Sequence, residues 1–221
     1  MDAILQQFFN FEIMGKALPL VLQGLLMTLL ICCVVIPLGL LGGLLAALGS
    51  ISERAVLRWV CIVFVDLFRA LPPLVLLIFI YAGLPFAGLR ISPFAAVVVG
   101  FFLNNSAYFA EILRAGLLSV PKGQEEAARS TGMTGVQTLI WVTLPQAVRN
   151  VLPDLLSNGV EIVKLTSIAS VVSLGEMLHA AGLVRSLTYN ASPLVLAAGI
   201  YLALLWPAIR VIAYYERRIA S

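Results

Sequence analysis

Long stretches of this 221-residue chain carry no charge, and their spacing predicts helices that cross a membrane. A helix needs roughly 20 apolar residues to span the hydrocarbon. The first run lies between Lys16 and Glu53 and predicts a tilted span over 18–48. The second, 56–84, contains Asp66 and Arg69, three apart on one helical face and able to pair. Pro72 and Pro73 follow them and should kink or break the helix. The third run, 91–116, meets no charge before Glu111. The fourth, 152–174, is interrupted by Glu161 and Lys164, and the fifth, 193–215, ends in Glu216, Arg217 and Arg218. The uncharged stretch 130–148 has an apolar core, 139–144, that is too short to span. The pattern therefore predicts an all-α integral membrane protein with about five transmembrane helices.

Composition agrees. Hydrophobic residues make up 61% and charged residues 11%, where soluble domains carry about 25% charged. Mean hydropathy is +1.03. The first run is longer than the apolar core of a cleavable signal peptide. Gly39, Gly42 and Gly43 within it suit close helix approach in lipid. An odd number of spans puts the termini on opposite sides. With the C-terminus inside, the inner segments hold Arg54, Arg58, Lys122, Arg129, Arg149, Arg217 and Arg218, and the outer ones Lys16, Arg90 and Arg185. The excess of inner basic residues places the N-terminus outside and the C-terminus in the cytoplasm. The one long connection, 119–151, is then cytoplasmic.

Several functions are excluded. Cys32, Cys33 and Cys61 cannot build a disulfide framework and read as small buried hydrophobes. His179 is the single histidine and reads as an outer loop residue; no HExxH metal motif is present. No basic stripe suggests a nucleic acid. An intramembrane enzyme lacks a nucleophile motif. The phosphate-loop pattern GxxxxGK[ST] is absent too, so any ATP-driven work needs a partner.

The cytoplasmic connection is patterned. Ser119 is positioned to cap a helix with Pro121 in its first turn, and 124–131 reads as helical with Glu125 and Arg129 at i,i+4. Gly132 is a stop signal, and Thr134 with Gln137 forms a capping box for a second short helix running towards Pro145.

Glu126-Ala127-Ala128, then Gly132, Val142 and Leu144-Pro145, stand at the spacing of a known loop. They closely resemble the EAA loop of ABC importer permeases, with Val142 where isoleucine is usual. Phe68-Arg69-Ala70-Leu71-Pro72-Pro73, Glu111-Ile112-Leu113-Arg114-Ala115-Gly116 and Lys164-Leu165-Thr166-Ser167-Ile168 resemble the polar amino acid permease family. The resemblance implies one permease domain over 1–221 with the type I ABC importer transmembrane fold, in the bacterial inner membrane, where the outer side that holds the N-terminus is the periplasm. It implies coupling to an ATPase through Glu126, Ala127, Ala128, Gly132, Leu144 and Pro145. It implies an amino acid or amino-acid-like solute, a cytoplasmic ABC ATPase dimer that binds the ATP, and no cofactor on this chain. It further implies a periplasmic solute-binding protein and a second permease subunit, identical or, as family habit leans, related.

Polar residues within the spans have two readings. Asn104 and Asn105 suit a solute pathway or hydrogen bonding between helices. Glu161 and Lys164, one turn apart, suit a pathway or a structural pair. Asn158 stands where the family expects a glutamate, and Thr166 and Ser167 complete the candidate pathway set. The alternative function is a secondary transporter driven by an ion gradient, with Glu161 as its coupling carboxylate.

Overall fold

The computed structural model describes residues 2–220, with side chains described over 4–217, so the side chain of Arg218 lies outside the described residues. All regular structure among the described residues is helical. In chain order the α-helices are α1 (Asp2–Phe8), α2 (Phe11–Ser50), α3 (Ala55–Ala70), α4 (Pro73–Ile78), α5 (Pro93–Ser119), α6 (Lys122–Ser130), α7 (Gly135–Thr138), α8 (Leu144–Asn150), α9 (Leu152–Leu165), α10 (Met177–Thr188) and α11 (Ser192–Ala220). Wider π turns occupy Phe79–Gly83 and Leu139–Thr143, and tighter 3-10 turns occupy Leu84–Ala87 and Thr166–Val172. Four stretches are long and apolar enough to cross a membrane: Ile4–Ser50, Pro93–Ser119, Leu152–Val172 and Ser192–Arg217. The broken pair Ala55–Ala70 and Pro73–Ala87 makes a fifth if taken as one span.

The chain forms two compact units. One comprises Met1–Ile36, Pro73–Phe101 and Val160–Val211; the other comprises Pro37–Pro72, Phe102–Gly159 and Ile212–Ser221.

In the first unit, Ala17, Val21, Met177, Ala181 and Ala197 form a buried core joining α2, α10 and α11. The start of α10 is keyed into α2. A Cβ on Gly24 would lie 2.8 Å from the Glu176 carbonyl oxygen, and the Met177 amide donates to Thr28 Oγ1 at 3.3 Å. Glu176 is fully buried, and its carboxylate caps α10 by accepting from the Leu178 and His179 amides at 2.8 and 2.6 Å. His179 therefore sits half-buried in a helix, where the sequence suggested an exposed loop. At twelve residues α10 is too short to cross a bilayer and leaves no periodic run long enough to be read as a span.

In the second unit, the glycines of α2 lie against α5. A Cβ on Gly43 would meet Phe109 Cβ at 2.6 Å and the Ala110 backbone nitrogen at 3.0 Å; one on Gly42 would meet Ser106 Oγ at 2.5 Å. Two helices approach this closely only where side chains are missing. Next to them, Ala46, Val65 and Ala110 pack α2, α3 and α5 together. The end of α3 shows why the helix can break there. Pro72 has no N–H, so the Phe68 carbonyl loses its donor four residues on. Asn104 of α5 replaces it, donating Nδ2 to the Phe68 oxygen at 2.9 Å.

Gly43→Ala is expected to lower stability by about 1–3 kcal/mol through overpacking. Gly15→Ala, in the same helix with open space around it, is expected to be neutral or stabilising by about 0.5–1 kcal/mol. Melting temperatures in detergent check the pair. Burial holds the Glu176 carboxyl above its ordinary value of 4.5, against the opposing pull of the two amides and the Tyr201 hydroxyl. Its contribution to stability is therefore complete below the ordinary value and is lost as pH rises through the raised one. Glu176→Gln, always neutral, is expected to flatten that decline when melting is followed between about pH 4 and pH 8.

Candidate functional site

The inner loop is a preformed structure anchored in the second unit. Ala47, Leu113, Leu117 and Ala147 make a buried cluster against which Leu139, Leu144 and Val148 pack. Gly116 of α5 touches α8 so closely that a Cβ would lie 2.8 Å from the Ala147 carbonyl oxygen. Ser119 does not cap the next helix as its position suggested. It closes α5, donating its hydroxyl to the Gly116 carbonyl at 2.7 Å and accepting from Asn150 Nδ2 at 2.8 Å. Pro121 takes the cap position of α6 with extended backbone and no side-chain bond.

On α6, Glu126 and Ala127 are exposed and Ala128 is buried. The Ser130 and Thr131 hydroxyls donate to the Glu126 and Ala128 carbonyls. Gly132, at φ +90°, makes the exit. Its amide donates to the Arg129 carbonyl at 3.0 Å and the Met133 amide to the Ala128 carbonyl at 3.4 Å. This is the helix-ending pattern that needs a left-handed residue, which glycine supplies without Cβ strain. Arg129 reaches the Met133 carbonyl at 3.3 Å, and no ion pair joins it to Glu125 among the described residues. Thr134 and Gln137 make the expected capping box in both directions, at 3.3 and 2.8 Å.

Beyond α7 the helix does not stop at Pro145. A π turn over Leu139–Thr143 absorbs the missing proline donor, and the helix resumes as α8 with Pro145 in its first turn. Leu144 packs on the buried cluster and Pro145 is exposed. The loop also exposes apolar side chains. Val136 is 66% exposed, Ile140 four residues on is 48%, and Trp141 is 72%.

The polar span residues fall into separate settings. In the second unit, Asn104 is buried and committed to the Phe68 carbonyl, Asn105 is also buried, and the half-buried Asn158 has an Nδ2 atom with no hydrogen-bond partner. Arg69 does not pair with Asp66; it turns towards Glu111 on α5, with Nη1 at 3.8 Å from Oε2. Sequence spacing cannot show this, because the partner lies on another helix. In the first unit, Glu161 and Lys164 pair with each other while their side chains stay 66% and 47% exposed. Lys164 and Ser167 line a cleft of about 460 Å³ with Tyr201, Leu205 and Trp206. Thr166 is fully buried and donates to the Val163 carbonyl at 2.7 Å. Glu176 was not singled out by the sequence, although an acidic residue just before a short apolar run is a capping signal.

A helical membrane protein with about five spans and a structured connection between the third and fourth has the architecture of an ABC importer permease. The crystal structure of an amino acid ABC transporter with histidines superposes with a TM-score of 0.83 at 36% identity, covering 93% of this chain and 96% of that one. An inward-facing structure of the MetNI methionine ABC transporter superposes with a TM-score of 0.71 over 91% and 95% of the two chains; at 23% identity it is a likeness of fold alone. The family model for a binding-protein-dependent transport system inner membrane component matches residues 39–221. The probable amino-acid ABC transporter permease YckA of Bacillus subtilis is 35% identical over 200 residues, 90% of this chain and 88% of that protein. The glutamate/aspartate import permease GltK of Escherichia coli O6:H1 is 31% identical over 221 residues, 96% of this chain and 99% of that protein. The chain belongs to this family of binding-protein-dependent inner-membrane components, among the polar amino acid ABC permeases. It is a multi-pass, non-catalytic subunit of an ABC transporter complex.

No atom lies within 4 Å of a Cβ built on Gly132, so Gly132→Ala carries only backbone strain. That strain, about 1.4 kcal/mol, is expected to speed amide exchange at residues 132 and 133 about tenfold and to leave the global melting temperature unchanged.

Proposed function

We propose that this chain moves an amino acid or a close derivative across the inner membrane by alternating access, driven by a cytoplasmic ABC ATPase dimer that docks on its 119–151 loop. ATP is bound and hydrolysed on that partner. A periplasmic binding protein delivers the solute, and a second permease subunit completes the transmembrane pore. The observation that carries the reading is the rigid, exposed α6 with its apolar neighbours. Glu126 and Ala127 face outward on a helix closed by the Gly132 turn, beside exposed Val136, Ile140 and Trp141. Apolar groups left in water on a polar loop mark a protein-docking surface. Glu126 supplies a charge for a basic group on the ATPase, and Ala127 allows close approach. Ala128, Leu144 and Pro145 support that surface by holding α6 and α8 in place.

The solute path is proposed to follow the face of α9 that carries Glu161 and Lys164, and to continue to Ser167 in the 3-10 turn that follows it. Charges this exposed on a span do not face hydrocarbon; they face a partner subunit or a water-filled path. A zwitterionic amino acid carries one charge complementary to each member of the pair. The unpartnered Asn158 amide adds a donor. Asn104 and Asn105, buried in the second unit, and Thr166, buried in the first, are proposed to serve the path by fixing the helices of their own units.

Glu126→Arg and Ala127→Trp are expected to abolish co-purification of the ATPase with the tagged chain and to lower ATP-dependent uptake more than tenfold, because a like charge or a bulky ring at a docked interface costs several kcal/mol. Membrane insertion should be unaffected. Undiminished ATPase recovery with both variants, or uptake that follows an ion gradient and ignores ATP, contradicts the reading.

A further inference from the structure

The second unit holds a charged group that neither the inner loop nor the face of α9 uses. Glu111 on α5 is gripped from one turn on by Arg114, whose Nε donates to Oε2 at 3.1 Å and whose Nη2 donates to Oε1. Arg69, one residue before the end of α3, approaches the same Oε2 at 3.8 Å. Its guanidinium lies 5.8 Å from the centre of the Tyr108 ring. Glu111, Arg114 and Arg69, with Asp66 and Ser50, line a cleft of about 320 Å³.

The two arginines hold Glu111 differently. The Arg114 contact is short, bidentate and internal to α5, so it survives any movement of α3. The Arg69 contact is long, single and between helices. Arg114 also means that Glu111 is not stranded as a bare carboxylate when Arg69 leaves. The end of α3 is thus tied to α5 by a neutral bond, Asn104 to the Phe68 carbonyl, by the Arg69 contact with the Tyr108 ring, and by a releasable ionic contact. Below Glu111, α5 runs unbroken to Ser119, and Gly116 packs directly on the Ala147 carbonyl of α8.

We propose that Arg69 and Glu111 form a positioning latch, closed in this structure, through which movement of the inner loop is passed from α5 to α3. This rests on the proposed coupling of that loop to an ATPase. Charges in an apolar slab are either paired or costly, so such a contact favours discrete open and closed arrangements over gradual deformation.

The test uses the complete transporter in proteoliposomes, with its ATPase and solute-binding protein, and reads solute uptake and ATP hydrolysis in one preparation. Arg69→Gln leaves the Glu111–Arg114 pair intact. It is expected to keep hydrolysis within about twofold while lowering solute moved per ATP about tenfold, a usual size for coupling between sites. Arg69→Lys, which keeps the charge, is expected to restore most of that ratio. An unchanged ratio in Arg69→Gln overturns the latch, and so do a parallel loss of uptake and hydrolysis or equal defects in both variants. If Arg69→Gln does not assemble, Tyr108→Leu decides: removing the ring beside Arg69 should lower the ratio about two- to fivefold, and an unchanged ratio overturns the proposal. A wild-type transporter with no ATP-dependent uptake sinks the coupling reading first, whatever Arg69 does, and the latch with it.

Discussion

Hydrocarbon offers no hydrogen bonds, so every polar group that a membrane chain carries into it must find a partner within protein or water. That constraint organises most of this molecule. It forces the spans to be helical. It explains why the break at Pro72 is tolerated only beside Asn104, whose side chain takes the carbonyl that the proline leaves without a donor. It explains why Glu111 has Arg114 and Arg69 around it, and why Glu161 and Lys164 are found together. Where the constraint ends, at the inner loop, the chain changes character and exposes polar and apolar side chains side by side.

The loop is stiff because three devices act at once. Its return helix is locked onto α5 at Gly116, its first helix ends in the Gly132 turn, and its second begins in the Thr134–Gln137 box. A loop held this way transmits force where a flexible one would absorb it. The glycines of α2 at 39, 42 and 43 extend the same rigidity upward by bringing α2 and α5 into contact over their backbones. With the proposed latch at the end of α3, this packing would let a movement of α5 be passed to α3.

Local signals were legible in the sequence and contacts between helices were not. Uncharged runs marked the spans, and the proline pair marked the break at 71–72. The capping box at Thr134 and the stop at Gly132 depend on neighbours three or four residues away, which spacing displays. Ser119 shows the limit: its residue type fits a cap, but α5 reaches one turn further than hydropathy suggested and uses the hydroxyl itself. Pro145 shows another, since a π turn lets a helix pass a proline where the rule predicts an end. Arg69 shows a third. Asp66 lies three residues away, yet Glu111, forty-two positions on, is the carboxylate it approaches. The helix α10 was hidden because a short helix capped by a buried carboxylate leaves no span-length pattern.

A cytoplasmic ATPase is proposed to dock on the 119–151 loop, first of all on the exposed residues of 121–141. Hydrogen–deuterium exchange of the chain in detergent, with and without the ATPase, tests it most directly. Protection confined to peptides covering α6, the Gly132 turn and the stretch from Val136 to Trp141 is the predicted result. Unchanged exchange there, with protection elsewhere or none at all, would contradict it.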